Sequence, residues 1–176
     1  MPSDTGGAYL EIKKQSGTTV SSLDMNQRDS MKLTASIRGG TGELPEEPVI
    51  RWEASDPELF SISVTDGGSK AEIVPTKAGS GCLIVDAGIF GRRVVGVTVH
   101  RFLLHAAYLS ESSARAVYTG KPYEPVPETI TAETKTEEYT SDLSRDVDYT
   151  LTYENNTRCG MGEVIVTGIG SYEGIV

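Results

Sequence analysis

Apolar and polar residues alternate repeatedly along this chain, with the period of two that marks a strand buried on one face. Met31, Leu33, Ala35 and Ile37 alternate with Lys32, Thr34, Ser36 and Arg38. Phe60, Ile62 and Val64 alternate with Ser61, Ser63 and Thr65, and Leu10 and Ile12 flank Glu11. Residues 49–53, 71–74, 81–85 and 92–99 add further strands, the first centred on Trp52. Gly39-Gly40-Thr41-Gly42, Asp66-Gly67-Gly68, Ala78-Gly79 and Phe90-Gly91 separate them as turns. Short strands punctuated in this way predict an antiparallel sandwich rather than a parallel α/β sheet. Trp52 is expected in its core.

The second half shows the same habit with weaker periods. Strands are expected at 106–109, 115–118, 129–133, 149–153 and 162–167, with Gly162, Val164 and Val166 on one face and Glu163 and Ile165 on the other. Residues 132–141 are polar and charged, which suits an exposed hairpin. Residues 121–127 hold Pro122, Pro125 and Pro127. Proline lacks the amide donor a central strand needs, so this is an edge or extended connector.

Between the halves, residues 100–109 contain no Gly, Pro or Ser, unlike a flexible linker. The expected organisation is a tail at 1–7, a sandwich at 8–102 and a second sandwich at 103–176, joined semi-rigidly with Phe102 and Leu103 near the junction. The fold class is therefore all-β, with two tandem modules.

Two resemblances sharpen this. Met31-Lys32-Leu33-Thr34-Ala35, then Ile50-Arg51-Trp52-Glu53-Ala54-Ser55-Asp56, then residues 73–85 (IVPTKAGSGCLIV) resemble the bacterial Ig-like group 2 family. Ala54 stands where Ser is commoner and Gly81 where Ala is commoner, and residues 39–48 lengthen a turn. The resemblance implies an immunoglobulin-like sandwich. In the second half, Tyr118-Thr119-Gly120-Lys121-Pro122, then residues 148–156 (DYTLTYENN), then residues 160–174 (GMGEVIVTGIGSYEG) resemble tandem repeats of large Gram-positive surface proteins. That resemblance implies a second Ig-like module, exported to the bacterial cell surface or wall. It also implies that Tyr149, Tyr153 and Tyr172 are core residues of the repeat.

Residues 1–7 lack the basic and apolar regions of a signal peptide, and the chain stops where the resembled repeat would enter another strand. The expectation is a piece of a longer exported protein, cut at both ends.

The net charge of −9 argues against nucleic acid or an anionic membrane as partner, since phosphate binding needs clustered Lys and Arg. No apolar run approaches the length of a membrane span. An acidic surface also favours a monomer.

Candidate chemistry is sparse. Asp142, Asp146 and Asp148 could offer oxygen ligands to Ca²⁺, but the EF-hand order is missing and Arg145 lies among them. A solvated turn accounts for them as well. Cys82 and Cys159 fall one in each module and are expected to be free thiols, since a bridge needs α-carbons within about 7 Å. His100 and His105 lie at the junction without a Gly-x-Ser-x-Gly elbow, so neither a hydrolase site nor any cofactor is expected. Asn155-Asn156-Thr157 matches a glycosylation sequon but reads as a turn. Tyr123 and Tyr139 remain as tyrosines that could line a binding surface, for a host or cell-wall glycan or a protein.

The reading is a non-catalytic spacer or adhesion module of a larger secreted or wall-attached bacterial protein. Two alternatives stand beside it: an accessory carbohydrate-binding module of an extracellular glycoside hydrolase, and a decoration domain of a phage virion.

Overall fold

The computed structural model describes residues 7–41, 48–134 and 142–176, with the backbone alone at 138–140. Residues 1–6, 42–47, 135–137 and 141 lie outside the described residues, and with them most of the expected tail and parts of the expected long turn and hairpin. The chain is nearly all β and divides into two compact units between His100 and Arg101.

The first unit is a sandwich of two four-stranded sheets. One runs in the order β1 (Tyr9–Lys14), β3 (Met31–Arg38), β6 (Lys70–Pro75), β5 (Phe60–Thr65), each neighbour antiparallel. The other runs in the order β2 (Ser22–Asn26), β8 (Arg92–His100), β7 (Gly79–Asp86), β4 (Arg51–Ala54). In this sheet β2 lies parallel to β8 and the remaining pairs are antiparallel. Alternation along each strand delivers the core. Leu10, Ile12, Leu33, Ala35, Ala71 and Ile73 from one sheet meet Leu23, Met25, Leu83, Val85, Val95 and Val97 from the other, all buried. Each large aliphatic side chain so buried contributes about 1.5–3 kcal/mol. The Arg93 Nε reaches from β8 to the Leu10 carbonyl at 3.2 Å and ties the two sheets together.

Two local expectations change. Strand β2 was absent from the pattern of strong strands because it is five residues long and carries Asp24 and Asn26, types depleted in sheets. Its Leu23 and Met25 are nevertheless buried. Trp52 is half-buried against the core rather than enclosed by it.

The second unit places β9 (Phe102–Tyr108) at the centre of a four-stranded sheet in the order β11 (Glu138–Thr140), β10 (Thr129–Glu133), β9, β14 (Tyr172–Glu173). β12 (Tyr149–Glu154) and β13 (Glu163–Gly168) form an antiparallel hairpin. The chain end joins both layers. β14 runs parallel to β9, and Val176 then exchanges two backbone hydrogen bonds with Val166, at 2.7 and 3.0 Å. The core between the layers is Phe102, Leu104, Ile130, Ala132, Tyr149, Val166 and Tyr172. Phe102 thus belongs to this unit, which moves the boundary two residues earlier than the alternation suggested.

Residues 115–118 form no strand. β9 and β10, the strands on either side of them in sequence, each already have a hydrogen-bonded neighbour on both edges, so neither can receive them. Val117 is left 87% exposed.

Candidate functional site

Residues 109–128 make one long excursion from the second unit. Its ends are pinned together by the Glu128 amide donating to the Tyr108 carbonyl at 2.8 Å. It opens with a serine turn in which the Ser113 and Ala114 amides donate to the Ser110 carbonyl at 3.0 and 2.8 Å. It then folds back onto the far end of the β12–β13 hairpin, where the Tyr123 amide donates to the Asn156 carbonyl at 3.0 Å. That hairpin end turns through Asn155, whose φ of 55° lies in the left-handed region that Asn tolerates.

A cleft of about 370 Å³ lies between the excursion and the hairpin. Tyr118, Lys121, Tyr123, Tyr153, Asn155 and Arg158 are among its lining residues. Two of the phenols are spent inward: Tyr123 donates to the Ser113 carbonyl at 3.1 Å and Tyr153 to the Pro125 carbonyl at 3.2 Å. Desolvation at this position pushes the Tyr153 phenol above its ordinary value, with Glu124 and Tyr149 adding to the shift and Arg145 opposing it. Tyr123 is 41% exposed and Tyr118 58%. Lys121 and Arg158 make no ion pair with another described residue.

Two stretches far apart in the chain therefore converge here: residues 109–125 and residues 153–164. Sequence reasoning had singled out Tyr123, which the structure places on the cleft. It had not singled out Tyr118, Lys121, Tyr153 or Arg158 as one group. The available signal was the length of the excursion, since connections beyond about 12–15 residues without strands or helices are uncommon and usually functional. The side chain of Tyr139 lies outside the described residues.

The aspartates behave differently from one another. Asp148 is buried, and its carboxylate accepts the Ser144 amide at 2.9 Å while its own amide donates to the Ser144 carbonyl at 2.8 Å. This is a closed turn around a buried carboxylate, not a solvated one. Asp142 and Asp146 are exposed, and Asp146 holds a left-handed φ of 65°. Among the described residues no group of three His, Cys, Asp or Glu side chains could hold a metal ion.

Both cysteines are free, Cys82 half-buried and Cys159 exposed on the cleft. His100 Nε2 meets Asp24 at 2.5 Å, and His105 Nδ1 lies 3.5 Å from Glu133. Among the described residues no helix is long and apolar enough to cross a membrane.

No family model matches the chain, and no curated protein matches it. Among solved structures it is similar to pieces of the S-layer protein SbsC. Against SbsC domains 4 and 5 the identity is 16%, covering 53% of this chain and 46% of that one, with a TM-score of 0.38. Against domains 4–9 the identity is 14%, covering 94% of this chain and 28% of that one, with a TM-score of 0.39. Against domains 5–6 the identity is 14%, covering 94% and 86%, with a TM-score of 0.39. The chain thus spans less than half of the first two.

Proposed function

We propose that the chain is a non-catalytic structural or adhesive part of a larger exported bacterial surface protein, built from two tandem immunoglobulin-like sandwiches. The observation that carries this reading is where the motif residues of the second unit go. Tyr149, Val166 and Tyr172 are buried in its core. Gly168 lies so close to β14 that a Cβ there would sit 2.8 Å from the Glu173 nitrogen. Asp148 closes the turn into β12. These positions are spent on packing and turns, as a structural module requires, while Tyr153 of the same motif, expected in the core, is half-buried on the cleft instead.

The strand orders support the immunoglobulin-like part. In the first unit, β1-β3-β6-β5 facing β2-β8-β7-β4 corresponds to the A-B-E-D and A′-G-F-C arrangement of such sandwiches. In the second unit the last strand again runs parallel beside an early one, β14 beside β9 as β8 lies beside β2.

Antibodies raised against the chain test the surface assignment. They are expected to label intact cells of the organism that makes it, and external protease is expected to remove the label. Labelling that appears only after lysis overturns the proposal.

A further inference from the structure

We propose that the cleft of the second unit binds an acidic saccharide, stacking a sugar ring on Tyr118 and Tyr123 while Lys121 and Arg158 take its carboxylates.

The aromatic platform is built before any ligand arrives. The Tyr123 hydroxyl is spent on the Ser113 carbonyl at 3.1 Å and its amide on the Asn156 carbonyl at 3.0 Å. The Tyr153 hydroxyl is spent on the Pro125 carbonyl at 3.2 Å. A tyrosine held at both ends keeps its ring face in place, so little rotamer entropy is lost when something stacks on it. With its hydroxyl turned inward, such a ring offers a flat apolar face rather than a donor. The C–H face of a pyranose ring is a surface of that kind, ringed by hydroxyls. Asn155 and Glu163, also on the lining, can take hydroxyls as hydrogen-bond partners.

The charge pattern selects the acidic class. In a chain of net charge −9, some cations are engaged with carboxylates and others are not. Lys13 and Arg38 hold Glu11 at 3.0 and 3.1 Å, Lys70 holds Asp66 at 2.7 Å, and Lys77 holds Glu58 at 2.8 Å. Lys121 and Arg158 are both left unspent beside the tyrosines, and a guanidinium matches a carboxylate with two parallel hydrogen bonds. The lining carries one carboxylate, Glu163, against these two cations. The volume of about 370 Å³ is at the small end of ligand sites, so the cleft holds a short stretch of a chain rather than a long one.

Titration of the whole chain by NMR tests this, with three probes: a short galacturonate oligomer, a neutral galactose oligomer of equal length and a glutamate peptide of equal charge. The galacturonate oligomer is expected to shift resonances of residues 118–123 and 153–160, and to bind at least tenfold more tightly than either control. Tyr118→Ala and the pair Lys121→Gln with Arg158→Gln are each expected to weaken it tenfold or more. Tyr118 is exposed, so its removal leaves the core intact; should that variant melt early, the Lys121 and Arg158 pair decides. Absence of shifts at the cleft overturns the proposal. So does equal binding of the neutral oligomer, equal binding of the glutamate peptide, or affinity unchanged in the variants. None of these outcomes depends on where the parent protein resides, so the surface assignment stands or falls separately.

Discussion

The indole nitrogen of Trp52 donates to the Gly68 carbonyl at 2.7 Å, joining β4 of one sheet to the turn between β5 and β6 of the other. Gly68 is suited to receive it because it carries a φ of +96° and lies against the chain: a Cβ there would sit 2.2 Å from the Ile50 oxygen. Gly68→Ala combines a left-handed conformation with a backbone clash and is expected to cost about 2–4 kcal/mol. In a unit of this size that is a fall of roughly 10–20 °C in the melting point. Trp52→Phe removes the donor alone and is expected to cost about 1–3 kcal/mol, since the carbonyl loses its partner. Native Trp52 emission reports half-burial and follows Gly68→Ala melting; urea curves followed by circular dichroism serve Trp52→Phe.

Tyr172 is the anchor of the second unit. It is fully buried, and its ring lies 5.4 Å from that of Phe102, tilted by 32°. Tyr172→Ala opens a cavity and is expected to cost about 3–5 kcal/mol. A domain this small holds only a few kcal/mol in total. The variant is therefore expected to lose its near-ultraviolet tyrosine dichroism at 37 °C. Tyr9 is the sole tyrosine of the first unit, so that signal reads the second.

How far the sequence showed this follows from the range of each interaction. Strands β1, β3, β5 and β8 were legible because Leu10, Leu33, Phe60 and Val97 each sit in a local alternation that survives folding unchanged. β2 was hidden because five residues holding Asp24 and Asn26 look like a loop, and only pairing with β8 makes them a strand. Residues 115–118 carried a strand-like composition, but the edges of β9 and β10 were already taken. The cleft was the least legible part. It exists because Tyr123 meets Asn156 across the chain, and nothing local to either residue announces the meeting. Tyr123 could be suspected as an aromatic on a proline-rich segment; Arg158 could not.

The turn at Asp148 gives a prediction about metal. Its carboxylate accepts the Ser144 amide at 2.9 Å and is buried, while Asp142 and Asp146 face solvent. Ca²⁺ wants six to eight oxygens, and turning Asp148 outward toward an ion would strand that amide. Added Ca²⁺ is expected to leave the melting point unchanged. A rise of several degrees would place a site here after all. Asp148→Ala removes the acceptor and is expected to cost about 1–2 kcal/mol, as loss of a comparable cap does.

Stability against pH is expected to fall off on both sides, for reasons located in different units. Glu11 is hydrogen-bonded by Lys13 and then by Arg38, which hold its carboxyl below the ordinary 4.5. The folded value is the lower one, so this contribution is present above the unfolded value and lost as pH falls through the folded one. Glu11→Gln is expected to flatten the acid limb of the first unit's stability curve. Tyr153 acts in the opposite sense. Desolvation raises its phenol above 10.0, so the stabilisation is complete below that value and lost as pH rises past it. Tyr153→Phe lacks the hydrogen bond to Pro125, so it is expected to be less stable than the parent at neutral pH. The gap should narrow as pH climbs above 10, because only the parent then has a phenol to ionise at position 153. Paired thermal melts across that range, with tyrosinate absorbance recorded alongside, decide it. A constant gap would mean that Tyr153 ionises as freely folded as unfolded, and the cleft wall would then be wetter than the structure shows.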